Sequence, residues 1–106
     1  MNITTSKVND GKTLKISISG TLGNDIHKEF RESYEKNTSE SYIIDLGHAS
    51  NIDSSGLGML LLLRDYAGGE DSNITIMNCS QTILEIFNVT CFYRLFNIPE
   101  YKGSTK

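Results

Sequence analysis

Ile52-Asp53-Ser54-Ser55-Gly56-Leu57-Gly58-Met59-Leu60-Leu61-Leu62-Leu63-Arg64-Asp65 is the stretch whose reading decides how this chain folds. Asp53 is placed as a helix N-cap, its carboxylate accepting from the free N–H groups of the first turn. The helix is expected from Ser54 to about Ala67, where Gly68-Gly69 stops it as a left-handed cap would. At about 100° per residue, Gly56, Met59, Leu60, Leu63 and Ala67 gather on one side of it. Ser54, Gly58, Leu61, Leu62 and Asp65 gather on the other. With the first side on a sheet, the second faces water, carrying a hydroxyl, a bare glycine and two leucines. That is the composition of a protein-docking face, and Gly58 lets a partner backbone approach closely. The competing expectation is that the C-terminal segment covers Leu61 and Leu62.

Upstream of this helix, Ile3 to Val8 and Leu14 to Ser19 read as two strands joined by the turn Asn9-Asp10-Gly11. Leu14, Ile16 and Ile18 face one side of the second strand, and Lys15, Ser17 and Ser19 the other. Gly20-Thr21-Leu22-Gly23 ends the hairpin. Asn24 or Asp25 then caps a helix to about Lys36, with Ile26, Phe30 and Tyr34 as its apolar stripe. Ser41 to Leu46 is a strand whose consecutive apolar residues predict a central position, followed by a loop from Gly47 to Ile52. Downstream, Ile74 to Met77 is a fourth strand and Ser80 caps a third helix carrying Ile83, Leu84, Ile86 and Phe87. A last apolar segment, Phe92 to Ile98, docks before Pro99. Strands alternating with helices after an opening hairpin predict an α/β fold, a mixed sheet with packed helices.

The length of 106 residues is one domain's worth, so residues 1–106 are read as a single domain. Ten Lys+Arg against 13 Asp+Glu, a net charge of −3, argues against a phosphate-backbone binder, and no nucleic-acid partner is expected. The first residues lack the basic start and apolar stretch of a signal peptide, and Leu57 to Leu63 falls far short of the ~20 apolar residues that span a bilayer. A cytoplasmic protein without a membrane partner is the expectation. P-loop, G-x-S-x-G and H-E-x-x-H motifs are absent, which points away from self-contained NTP or zinc hydrolysis and towards an adaptor or switch.

Candidates for chemistry are few. Serine-nucleophile catalysis needs a base near the hydroxyl, and the only histidines are His27, read as a rim residue, and His48, read as a solvated turn residue. Asp45 and Asp53 come from a strand and a cap and read as structural, so no catalytic residue and no metal site is assigned. Cys79 and Cys91 form no C-x-x-C pair and sit among apolar neighbours, the setting of buried thiols that act as small hydrophobes. Tyr42, Tyr66 and Tyr93 read as core or rim rather than a stacking platform. The first turn of the Asp53 helix has a specific capacity: a phosphate on Ser54 or Ser55 would meet free backbone donors and the positive end of the helix dipole.

The segment Ile52-Asp53-Ser54-Ser55-Gly56-Leu57-Gly58 after a strand and before a leucine-rich helix resembles the STAS domain of bacterial anti-sigma-factor antagonists. Gly20, the strand Tyr42 to Leu46 with its embedded Asp45, and Ile74 to Ser80 extend the likeness over most of the chain. The resemblance implies a STAS-like mixed four- or five-stranded sheet with helices, and a partner switch rather than an enzyme. The unmodified protein would bind a serine kinase or anti-sigma factor, and phosphorylation would end that binding. By this likeness Ser54 is the phosphorylation site, Asp53, Ser55 and Gly56 belong to the cap and motif, and Ser54, Gly58, Leu61, Leu62 and Asp65 bind the partner. The stretch Met59 to Asp65 is similar to single-domain members controlled by response-regulator-linked kinase or phosphatase proteins. The kinase, its ATP and a serine phosphatase come from partners, so no cofactor is implied, and the chain is expected to be a monomer or weak dimer. Where family members often read Gly-Glu-Leu-Asp, this chain reads Gly20-Thr21-Leu22-Gly23, with its acidic residue displaced to Asp25. The alternative function is a constitutive STAS scaffold subunit, for example of a transporter complex, with no serine modification.

Overall fold

The computed structural model describes residues 2–101. Strand β1 (Ile3–Val8) turns back into β2 (Thr13–Leu22) through Asn9, Asp10 and Gly11, all at positive φ. A 3₁₀ turn (Asn24–Ile26) leads into α1 (His27–Glu35), which returns the chain to β3 (Ser41–Ile52). Helix α2 (Ser54–Tyr66) connects β3 to β4 (Ile74–Met77), and α3 (Gln81–Val89) follows. The sheet order is β1-β2-β3-β4, with β1 and β2 antiparallel and β2, β3 and β4 parallel. The architecture is therefore the expected mixed sheet with helices, in its four-stranded form, with β3 central as its apolar run requires.

One alternating face of the sheet builds the core. Leu14, Ile16 and Ile18 of β2, Tyr42, Ile44 and Leu46 of β3, and Ile74 and Ile76 of β4 are all buried. Against them pack Ile26, Phe30 and Tyr34, then Met59, Leu60 and Leu63, with Ile83 and Phe87 of α3 in the same cluster. The last apolar segment docks as expected. Phe92, Phe96 and Ile98 are buried, and Asn97 pairs with the outer edge of β4.

Two local expectations are corrected. The segment from Gly47 to Ile52 is not a loop but the second half of β3. Register shifts against β2, between Ser17 and Ser19 and between Gly20 and Thr21, put one extra β3 residue into each interval. Burial therefore falls on Leu46, Ala49 and Ile52, a spacing of three that hides the two-residue period of a strand. Neither Asn24 nor Asp25 caps a helix: Gly23 precedes the 3₁₀ turn and Ile26 precedes α1, both without a side-chain cap bond. The 3₁₀ turn takes up the entry into α1 that a capping side chain would otherwise organise.

Candidate functional site

The site is built where β2 and β3 end side by side. Leu22 pairs with Ile52, and the Asp53 N–H donates to the Leu22 carbonyl at 3.2 Å, which fixes where α2 starts. Asp53 is extended, and its Oδ1 accepts from the Gly56 N–H at 2.9 Å, the expected cap. Gly56 is buried because the helix start presses on β2: a Cβ there would collide with the Leu22 carbonyl oxygen and lie 2.8 Å from Ile52 Cγ1. Ser54 and Ser55 are exposed in the first turn, and neither hydroxyl makes a hydrogen bond among the described residues.

Helix α2 turns its faces as its wheel predicts. Gly56, Met59, Leu60 and Leu63 are buried, whereas Leu61 is 42% and Leu62 51% exposed, so the described C-terminal segment, up to Tyr101, leaves them open. Ser54 and Asp65 are exposed and Gly58 half-buried on that same side. Among the described residues the large exposed apolar side chains are Leu61, Leu62, Tyr66 and Val89, and three of these belong to α2. Between α2 and the start of α1 runs a groove of about 510 Å³ lined by Asn24, His27, Ser55, Gly58, Met59, Leu61 and Leu62. The structure thus gathers Ser55, Gly58, Leu61 and Leu62 into one hollow. It adds Asn24 and His27, which the wheel of a single helix does not reveal. Tyr66 extends the face toward α1, its ring tilted at 53° to that of Tyr34 with the centroids 5.1 Å apart.

The other candidates lie apart from this face. His48 is an exposed β3 strand residue rather than a turn residue, and it lines a hollow with Asn2, Thr4, Ser17, Ile18 and Ser19. Asp45 is tied into the sheet end: its Oδ1 accepts from Asn78 Nδ2 at 3.0 Å and from the Gly47 N–H at 2.9 Å, and Lys15 Nζ stands 3.5 Å from Oδ2. Partial burial works to raise its pKa, but the Asn78 and Gly47 hydrogen bonds and the Lys15 charge outweigh it and hold the carboxyl below its ordinary value. Cys79 is half-buried, and burial, with Glu100 next, pushes its thiol up to about 12. Cys91 departs from the buried expectation: it is exposed, in a left-handed conformation after α3 that turns its side chain out of the core. Tyr42 is buried core, and Tyr93 stacks on Tyr101. No group of His, Cys, Asp and Glu among the described residues could hold a metal ion, and no described helix is long and apolar enough to cross a membrane.

A four-stranded mixed sheet whose central strand delivers a capped Asp-Ser-Ser-Gly helix start is the STAS architecture. The family model described as Mlab, STAS domain, matches residues 6–96, and the chain belongs to this family. A STAS-domain containing protein of Pseudomonas aeruginosa strain UCBPP-PA14 is 44% identical over 100 residues, covering 92% of this chain and 99% of that protein. The intermembrane phospholipid transport system binding protein MlaB of Escherichia coli K12 is 28% identical over 99 residues, covering 93% and 94%. Among solved structures, a Thermotoga maritima protein described as a candidate anti-sigma factor antagonist superposes with a TM-score of 0.79 at 13% identity, over 91% of this chain and 84% of that one. Unphosphorylated SpoIIAA, the Bacillus anti-sigma factor antagonist, gives 0.59 at 22% identity, with 80% of each chain covered. At these identities the two structures establish the shared fold.

Proposed function

We propose that this protein is a cytoplasmic partner-switching module. In the unmodified state the outward face of α2 binds a serine kinase or anti-sigma factor, and phosphorylation of Ser54 ends that binding until a serine phosphatase reverses it. The observation that carries this reading is the position of Ser54: an exposed hydroxyl without a hydrogen bond among the described residues, on the same helix face as the exposed Leu61 and Leu62. A phosphate there adds about two negative charges beside an apolar docking surface, while the helix start beneath tolerates it. Asp53 holds the helix start, and Ser55 and Gly56 complete the motif. Gly58, Leu61, Leu62 and Asp65 contact the partner. SpoIIAA, which shares the fold, has been solved in both unphosphorylated and phosphorylated forms.

A second reading rests on the similarity to MlaB along nearly the full length of both chains: a constitutive scaffold subunit of a transport complex whose serines are never modified. Two measurements separate the readings. Intact mass of protein purified from its native host contains a species ~80 Da heavier under the switch and does not under the scaffold. A partner recovered with unmodified protein as bait should bind Ser54→Ala normally and Ser54→Asp at least about tenfold more weakly. Equal binding of wild type and Ser54→Asp, with loss in Ser55→Asp, would move the switch to Ser55.

A further inference from the structure

The two edges of the sheet are finished differently. The β4 edge is closed by Asn97, whose carbonyl accepts from the Ile76 N–H at 2.8 Å and whose N–H donates to the Ile74 carbonyl at 3.0 Å. Among the described residues, the β1 edge has no such cover. Ser19 donates its N–H to the Asn2 carbonyl at 2.9 Å, and Ile3 stands opposite Ile18. In an antiparallel ladder this phase turns the N–H and C=O groups of Asn2, Thr4, Ser6 and Val8 toward β2, and those of Ile3, Thr5 and Lys7 outward. The strand is rich in β-branched residues and contains no proline. Its one charge, Lys7, lies back on its own chain with Nζ 2.7 Å from Ser39 Oγ rather than guarding the edge.

We propose that β1 is a self-association edge, on which two copies pair their β1 strands antiparallel about Thr5 and continue the sheet across a two-fold axis. Charge selects this occupant. Helix α1 runs from the end of β2 back to the start of β3, hence alongside β1 in the same direction. Between them lies a groove of about 210 Å³ lined by Ile3, Thr5, Glu29, Glu32, Ser33 and Lys36. The Ile3 end of the edge is therefore acidic, through Glu29 and Glu32, and the Lys7 end basic, through Lys7 and Lys36. Pairing about Thr5 sets Lys7 of one copy opposite Ile3 of the other, on the helix-bearing side, so each basic end meets an acidic end. A parallel pairing would set like against like. Because α1 stands between β1 and α2, the Ser54 face of each copy stays open. A six-residue edge covers much less than the ~1,200–2,000 Å² of a stable interface, so the dimer is weak and forms at high concentration.

Sedimentation velocity of the full chain from about 10 µM to about 1 mM tests this. The average mass should climb from 11.8 kDa toward twice that value. Thr5→Pro removes an outward N–H and no bond to β2, so the folded variant should stay monomeric. Lys7→Glu should also abolish association, and Lys7→Glu combined with Glu29→Lys and Glu32→Lys should restore it. Wild-type protein that remains monomeric at the highest concentration overturns the proposal. So does a dimer that survives both Thr5→Pro and Lys7→Glu; its loss in Leu62→Glu would place association on α2 instead.

Discussion

Gly23 and the carboxylate of Asp53 are in direct contact: a Cβ on Gly23 would strike Asp53 Oδ2 and lie 2.8 Å from Cγ and 2.9 Å from Oδ1. The loop after β2 thus forms one wall of the pocket that holds the cap of α2, and the absence of a side chain at position 23 is what lets the carboxylate lie there. Gly23→Ala should push the exposed Asp53 side chain off the Gly56 N–H and cost about the value of a cap, ~0.5–2 kcal/mol. Asp53→Ala should cost a similar amount. The double variant should cost clearly less than the sum, because the second change then removes nothing further. Urea melts of the three proteins check this; simple additivity would mean that Gly23 does not act through Asp53.

Gly56→Ala should be harsher. The group it meets is the Leu22 carbonyl oxygen, backbone that also accepts from the Asp53 N–H, and Ile52 behind it is buried. Overpacking of this kind costs about 1–3 kcal/mol and shifts the start of α2. A thermal melt within a degree of wild type would show that β2 and α2 part more easily than their contact implies.

The two faces of α2 should separate under the same substitution. Leu61→Glu and Leu62→Glu should leave the melting temperature nearly unchanged, within about 0.5 kcal/mol, and weaken partner binding. Leu63→Glu should unfold the domain, since Leu63 is fully buried and the charge would have no partner. Circular dichroism together with binding calorimetry reads both effects. Ser54→Asp should melt close to wild type, because dipole attraction of ~0.3–1 kcal/mol is opposed by the neighbouring Asp53.

Asp45 should contribute to acid sensitivity. Its folded pKa lies below the ordinary value of 3.8, so its stabilisation is complete above that value. It is lost as pH falls through the folded pKa, on the acid side of about pH 5. At neutral pH Asp45→Ala should cost about 1–3 kcal/mol, through lost hydrogen bonds to a charged group. The gap between variant and wild type should then narrow as the pH is lowered toward 2. A constant gap across that range would show that the Asn78 and Gly47 bonds do not depend on ionisation.

The two cysteines should react in order. Cys91 is exposed, whereas the Cys79 thiol, with a pKa near 12, is ionised to roughly one part in ten thousand at pH 8. Iodoacetamide followed by peptide mass spectrometry should find Cys91 labelled first and Cys79 only on unfolding.

Several features were legible from residues alone because they are local. The Asp53 cap needs only an acceptor three residues before Gly56, and the buried and exposed sides of α2 follow from helical spacing. The central place of Tyr42 to Leu46 follows from its continuous apolar character, and the outward turn of the Asn9-Asp10-Gly11 hairpin from residues that tolerate positive φ. Gly47 to Ile52 was illegible as strand because two register shifts against β2 turn its burial period from two to three. Such a shift is a property of a pair of strands and leaves no signature in either one. The same is true of the site's second wall. Gly23, Asn24 and His27 stand about thirty residues before Asp53 and Ser55, and only the parallel pairing of β2 with β3 brings them together. Residue spacing determined that α2 would carry a buried side and an exposed apolar face. The long-range ladder decided what that face is set against, because hydrogen bonds between distant strands are specified by partner and register, not by the residues of one segment.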